Sequence, residues 1–215
     1  MRYSILILFL LIFQFQAFAQ SASDRDRAFL AVKDMKEKGV LIVRLDTKEI
    51  KIKTFQRALA ASTLKEKKRK RIQKMLDETI NERDAINIAM AKAFQDSFSF
   101  CPVFICFDTS SNSLKAGIKK GIFYDRDLKP APELSLPDSS SIFVIYFHEK
   151  SGEYPSNGLI LRKLRGLVEE PFPKFTAIRE SFVYDINTPR IEKAAIQIAR
   201  RLQRLYNRAD EKIKD

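Results

Sequence analysis

The chain has 215 residues, 45% of them hydrophobic, and its 39 lysines and arginines outnumber 27 acidic residues to give a net charge of +12. This hydrophobic fraction supplies a real core and excludes a disordered chain, and the length fits one domain. The positive charge favours anionic partners in general and carries no information about the fold.

The first 19 residues have the three parts of a secretory signal. Arg2 precedes an apolar run from Ile5 to Phe13, and Ala17-Phe18-Ala19 supplies the small residues of a cleavage site. The run is too short to cross a bilayer, which takes about 20 apolar residues. We therefore expect cleavage between Ala19 and Gln20 and export of residues 20–215 as one periplasmic or secreted domain without a transmembrane segment. An uncleaved anchor is the alternative.

Helices and strands are predicted to alternate in the first half of the exported domain. A helix begins at Ser23 and ends at Gly39, and the apolar run Val40–Asp46 predicts a central strand. Asp46 with Glu49 forms a capping-box pattern that begins a helix through about Ala61. A second capping box, Thr63 with Glu66, indicates a break near Ser62, so residues 47–97 are predicted to be a crossover of two or three helices.

The strands on either side of this crossover predict the fold class. Pro102–Asp108 is a second apolar strand, which a helical crossover makes parallel to the first, and Ser141–Glu149 is a third. The expected fold is α/β, a single domain with a mixed sheet that is parallel at its centre and flanked by helices. The remaining predicted elements are a weak strand at Gly121–Tyr124, a strand near an edge from Gly158, a loop at Glu169–Phe175, a short strand at Ser181–Asp185 and a closing helix from Thr188.

The two cysteines, Cys101 and Cys106, fall in the second strand segment. Five extended residues span roughly 16 Å, whereas disulfide partners have Cα atoms within about 7 Å. We therefore expect two buried free thiols, no disulfide, and side chains on opposite faces that share no metal ion. His148 is the single histidine, which excludes a multi-histidine metal site.

Chemically active side chains follow the three apolar strands. Asp46, Asp108 and the pair His148-Glu149 would meet at the carboxyl edge of a parallel sheet, where open α/β sheets bind ligands. Two carboxylates and an imidazole could serve acid–base catalysis or hold a divalent cation. Helix capping and turn formation explain the aspartates without catalysis, and no nucleotide-binding, hydrolase-elbow or metalloprotease motif occurs. The catalytic residues and any cofactor therefore remain unknown at this stage.

The most cationic stretch is KEKKRKR, Lys65–Arg71. It contains no aromatic residue to stack on bases, and export removes the need for a nuclear address, so we expect no nucleic-acid partner. It is either a solvated helix face or a surface that meets lipid headgroups or lipopolysaccharide of the envelope. The residues of that anionic-surface interpretation are Lys67, Lys68, Arg69, Lys70, Arg71, Arg200 and Arg204.

The segments AFA before Gln20, GVLIVRLD and FCPVFICFD resemble uncharacterised exported proteins of Gram-negative bacteria. The resemblance covers the signal and the first half of the mature domain, implies an envelope location and carries no activity. The leading hypothesis is an exported periplasmic or envelope binding protein without a catalytic motif, with an anionic envelope surface or another envelope protein as partner. The alternatives are a small hydrolase or ligand-binding enzyme that uses Asp46, Asp108 and His148, and a structural or assembly protein of the envelope.

Overall fold

The computed structural model describes residues 23–61, 64–138, 140–151, 154, 156–166, 168–178 and 188–214. Within these ranges one five-stranded mixed sheet is flanked by helices, which confirms the predicted α/β class. The signal segment and the strand expected at Ser181–Asp185 lie outside the described residues. The elements are α1 (residues 23–38), β1 (Gly39–Leu45), α2 (Glu49–Ala60), α3 (Glu66–Ser97), β2 (Val103–Phe107), a 3₁₀ turn (Asp108–Ser110), α4 (Ser111–Lys115), β3 (Ser141–His148), β4 (Gly158–Lys163), β5 (Phe175–Ala177) and α5 (Thr188–Lys214).

The sheet has the order β2-β1-β3-β4-β5. β1 is apolar on both faces and lies at the centre of the parallel part of the sheet, where it pairs with β2 and β3, so that Val43 stands between Ile105 and Ile145. β4 and β5 pair antiparallel. The parallel centre is confirmed, and the carboxyl ends of β1, β2 and β3 share one edge.

Two of the expected elements differ from the structure. The stretch Glu169–Phe175 is not loop throughout, because β5 begins at Phe175 and pairs with β4. β4 therefore has a neighbour on each side in the described sheet. Residues 121–124 form no strand; single bridges join Tyr124 to Ile105 and to Pro130 instead, so this segment folds over the sheet as a loop.

The two faces of the sheet are covered differently. The helical face carries Leu41, Val43 and Leu45 of β1 and packs against α1, α3 and α5 in one large core. The loop face carries Val40, Ile42 and Arg44 and is covered by a smaller apolar cluster from α4 and the loop after it, chiefly Leu114, Phe123 and Leu136. Arg44 lies beyond this cluster and is half-buried.

α3 is one continuous helix of 32 residues, although its composition changes near Asp84. Its buried side chains begin at Leu76, and α2 has one, Ile52. The chain does break between Ala60 and Glu66, near the predicted position, although Thr63 of the expected capping box lies outside the described residues. We call residues 49–61 and 64–75 the basic arm, because residues 49–75 contain ten lysines and arginines and two glutamates. No helix in the described part of the chain is long and apolar enough to cross a membrane.

Candidate ligand-binding cleft

An open cleft of about 690 Å³ lies at the carboxyl edge of the three parallel strands. Its volume is that of a site for a small molecule, about 300–1,000 Å³. The walls include all four side chains that the sequence placed at strand ends, Asp46, Asp108, His148 and Glu149. The sheet topology thus brings these residues to one cavity, and their hydrogen bonds determine what they can do there.

The two aspartates hold the loop between β1 and α2. Asp46 Oδ1 accepts a hydrogen bond from the Lys48 amide at 2.8 Å, and Asp108 Oδ1 accepts from the Thr47 amide at 3.2 Å and the Thr109 amide at 3.0 Å. Asp46 is therefore not the helix cap that its sequence pattern predicted. That position belongs to Lys48, whose backbone is left-handed with φ of 47°. The Asp46 side chain forms a turn that positions Lys48.

Lys48 is the centre of an ion-pair network in the cleft. Its side chain is 7% exposed, and Nζ lies 3.1 Å from Glu82 Oε2 and 2.5 Å from Glu149 Oε1. Burial lowers the pKa of the Lys48 amine, but the hydrogen bonds and charges of Glu149 and Glu82 outweigh it and the net effect raises the pKa. Lys48 therefore stays protonated at neutral pH and joins the end of β3 to α3.

His148 is engaged on the far side of the cleft. Its Nε2 lies 3.0 Å from Ser151 Oγ, and its ring packs nearly perpendicular to Tyr154 with 5.2 Å between centroids. No hydrogen bond joins His148 to Asp46 or Asp108 in the part of the chain described. Nor do the His, Cys, Asp and Glu side chains of these ranges form a group of three that could hold a metal ion.

Sequence reasoning missed several side chains of the cleft. Asn87 is buried and donates from Nδ2 to the Asp46 carbonyl at 2.9 Å, which fixes α3 against the end of β1. Ile86 and Met90 of α3 add apolar wall, and Ile50, 86% exposed, stands at the rim. The hydroxyl of Thr47 is buried and has no hydrogen-bond partner among the described residues. The one signal in the sequence for these cleft residues was the composition change in α3, which comes just before Ile86, Asn87 and Met90.

The basic run lies on the first turns of α3. Lys67, Lys68, Lys70 and Arg71 are exposed, whereas Arg69 is half-buried and donates to the Leu59 carbonyl at 2.7 Å. Arg69 therefore holds the carboxyl end of α2 and differs in role from its neighbours.

The exposed arginines of α5 lie apart from the basic run. Ser97 bonds Glu192, and a helical rise of about 1.5 Å per residue puts Lys67 about 45 Å along α3 from Ser97. Arg200 is only about 12 Å along α5 from Glu192 by the same rise. The structure therefore does not bring Arg200 and Arg204 into one patch with Lys67.

Both cysteines are free and buried, as expected. Cys101 belongs to the core of the helical face and Cys106 to the cluster of the loop face. Burial raises the pKa of each thiol to about 12. Neither thiol is a nucleophile at neutral pH, because the thiolate is the reactive form.

These features define a single-sheet α/β protein with a cleft of small-molecule size at the carboxyl edge of its parallel strands. Such an edge is where open α/β sheets bind ligands. No protein-family model, curated protein or solved structure matches the chain.

Proposed function

We propose that the protein is an exported binding protein that takes a small neutral or zwitterionic molecule into the cleft. The observation that carries the proposal is the Thr47 hydroxyl, which is buried in the cleft wall without a partner. A buried polar group without a hydrogen bond costs about 1–3 kcal/mol. A ligand that bonds this hydroxyl removes the cost and gains affinity.

The charges of the cleft indicate the kind of ligand. Its lining balances four acidic against four basic side chains, so it favours neither a strong anion nor a strong cation. The apolar wall from Ile86 and Met90 suits a ligand with a hydrocarbon part. The balanced charges are Asp46, Glu49, Asp108 and Glu149 against Arg44, Lys48, Lys51 and Arg83.

The geometry favours binding over the alternative of a small hydrolase. A general base works with its nucleophile or acid within hydrogen-bond reach. Asp46 and Asp108 instead accept from backbone amides, and Ser151, the hydroxyl partner of His148, does not line the cleft. The raised pKa of Lys48 also makes it a poor base.

Substitutions at two exposed isoleucines test the cleft. Ile50→Trp places an indole at the cleft rim, whereas Ile118→Trp makes the same change at a 47% exposed side chain that does not line the cleft. In a panel of amino acids, nucleosides and monosaccharides, we expect a compound to raise the melting temperature of the wild type and of Ile118→Trp but not of Ile50→Trp. Thr47→Val should weaken this compound several-fold. A compound that stabilises both tryptophan variants equally contradicts the proposal. So does a panel in which no compound stabilises the wild type or either variant.

Export is part of the same proposal and has its own test. When the full chain is expressed in a Gram-negative host, the periplasmic fraction should contain a protein whose mass corresponds to a first residue Gln20. Arg at both Ala17 and Ala19 should block cleavage and retain the full-length chain at the membrane. Recovery of the uncleaved wild-type chain in the cytoplasm would be inconsistent with export.

A second candidate function, attachment to an anionic lipid surface, comes from the basic arm. The ten cations and two acids of residues 49–75 account for most of the chain's net charge of +12. Each lysine or arginine near an anionic membrane contributes about 1 kcal/mol, less at high salt. The exposed residues Lys67, Lys68, Lys70 and Arg71 carry this candidate.

Matched charge reversals test whether the basic arm itself, rather than the net charge of the chain, causes binding to an anionic lipid surface. One variant changes Lys67, Lys68, Lys70 and Arg71 to Glu, and the control changes Lys193, Arg200, Arg201 and Arg204, which are exposed on α5. Sedimentation with phosphatidylglycerol vesicles at low salt should be lost in the first variant and retained in the second. Equal loss in both would assign the association to net charge, and binding by the first variant would remove the arm from this role.

A further inference from the structure

Two arginines on the loop face share one aromatic ring. Arg44 of β1 and Arg162 of β4 flank β3, and their Cζ atoms lie 4.1 Å and 5.1 Å from the ring centroid of Tyr146. A cation over an aromatic ring is attracted to the negative face of that ring. Two like charges this close also repel each other, so the arrangement leaves an excess of positive charge.

No carboxylate neutralises this pair within the described residues. Arg83 and Arg126, by contrast, lie 2.8 Å and 3.0 Å from Asp84 and Asp96. Neither Arg44 nor Arg162 has an ion pair or hydrogen bond there. The charges of Asp108 and Arg44 both act on the neighbouring Cys106. Asp108 Oδ1, however, already accepts hydrogen bonds from two backbone amides.

A small pocket opens beside these arginines. Its volume is about 20 Å³, and it is lined by both guanidinium-bearing side chains and by Ser111, whose Oγ is buried with no hydrogen-bond partner in the described part of the chain. A cavity needs roughly 10–15 Å³ to hold one water-sized group. Ile42 and Val144 of the sheet add apolar lining, and Lys115 adds a third cation. The pocket therefore accommodates one oxygen atom next to a hydroxyl donor and two fixed positive charges.

We propose that Arg44, Arg162 and Ser111 form a binding site for a phosphate group. One phosphate oxygen enters the pocket and accepts a hydrogen bond from Ser111 Oγ, and the outer oxygens accept from the two guanidinium groups. Guanidinium N–H donors match the geometry of phosphate oxygens and stay charged at every physiological pH. Donors from three separate side chains suit a tetrahedral phosphate better than a planar carboxylate. Arg44 also lines the cleft, but Arg162 and Ser111 do not, so the evidence for this site is the small pocket together with the two arginines that have no carboxylate partner in the described residues.

Titration with phenyl phosphate, followed by calorimetry at low ionic strength, tests the site. The wild type should bind saturably, and Arg44→Gln with Arg162→Gln should weaken binding at least about tenfold. The matched control, Lys193→Gln with Arg201→Gln, removes the same charge from exposed positions and should bind normally. Ser111→Ala should weaken binding several-fold, and acetate should bind more weakly than phosphate. If the double variant does not fold, the single variant Arg162→Gln, at an exposed side chain, takes its place in the titration.

Three results would overturn the site: no saturable binding to the wild type, equal weakening by the control, or unchanged binding by the folded arginine variants. Ile50→Trp should bind phenyl phosphate normally, so failure at the cleft and failure here are distinguishable. Vesicles that contain phosphatidic acid show whether the phosphate belongs to a lipid or to a soluble ester. They are tested with the variant in which Lys67, Lys68, Lys70 and Arg71 are changed to Glu, so that the basic arm does not contribute to binding. Residual vesicle binding that requires Arg44 and Arg162 assigns a lipid headgroup, and its absence assigns a soluble phosphate ester.

Discussion

The two halves of α3 belong to one helix and have opposite surroundings. Residues 66–75 are exposed apart from the half-buried Arg69 and Ile72, and they carry the basic run. Ile86, Met90 and Phe94 in the second half are buried against the sheet. Helix formers fill both halves, so the backbone continues through the change. Burial therefore sets what the second half contributes to stability, and the first half is available for association.

The largest effect expected from this comparison is on the free energy of unfolding. Met90 is 1% exposed and Met75 is 40% exposed on the same helix. Met90→Ala should destabilise the protein by about 2–5 kcal/mol, because it removes buried methylene groups and leaves a cavity. Met75→Ala should change stability by less than about 0.5 kcal/mol. Urea denaturation of both variants measures the difference, and similar losses would mean that the two halves are equally packed.

Thiol labelling gives a second contrast between core and arm. A pKa of about 12 for Cys101 and Cys106, against an ordinary value of about 8.5, lowers the thiolate fraction at pH 7.5 by about three thousandfold. The native thiols should label only as fast as the protein opens, whereas Met75→Cys should add one rapidly labelled site. Mass spectrometry after iodoacetamide counts the labels over time. Rapid modification of Cys106 in the native state would show that the loop covering its face opens readily.

The strands and the edge they share were predictable because their signal is local. Val40–Leu45 and Val103–Phe107 are apolar on both faces, which indicates central strands, and the helical crossover makes them parallel. The unbroken length of α3 was not predictable in the same way. Its composition change near Asp84 marks where the helix reaches the sheet, and a change of surroundings looks like a change of element when only the sequence is available.

The side chains that give the two sites their character depend on long-range contacts. Lys48 meets Glu82 and Glu149, which are far away in the chain, so no spacing rule connects them. Arg44 lies inside a run that is otherwise apolar. Its role depends on Tyr146, which pairs with it across β1 and β3. The register of β1 and β3 and the incomplete cover of the loop face decide how Arg44 and Tyr146 are arranged.

The ion-pair network that joins the end of β3 to α3 is tested at Lys48. Lys48→Met leaves Glu82 and Glu149 without their shared ammonium group, and we expect a loss of about 1–2 kcal/mol because both glutamates are partly solvated. Lys51→Met, at an exposed residue of α2, should have little effect. Denaturation at pH 7 measures both, and equal stability of Lys48→Met and wild type would contradict the network.

The pH dependence of this loss follows from the raised pKa of Lys48. The stabilisation is fully present below the pKa of an unfolded lysine, about 10.4, and is lost as the pH rises through the higher folded value. The stability difference between wild type and Lys48→Met should therefore be constant from pH 7 to 9 and shrink in more alkaline solution. A difference that grew with pH would mean that a carboxylate interaction was measured instead.

The smallest expected effect on stability is that of the arm's charges, and it decides what they are for. Lys67 and Arg71 are like charges one helical turn apart, and the run lies at the helix amino terminus, where cations are unfavourable. Changing Lys67, Lys68, Lys70 and Arg71 to Gln should raise stability slightly, by less than about 0.5 kcal/mol, with the gain shrinking in 0.5 M salt. A loss above about 1 kcal/mol in urea titrations would assign the run to the fold. A small gain would mean that the run is unfavourable for the fold itself, as expected of a surface that contacts an anionic partner.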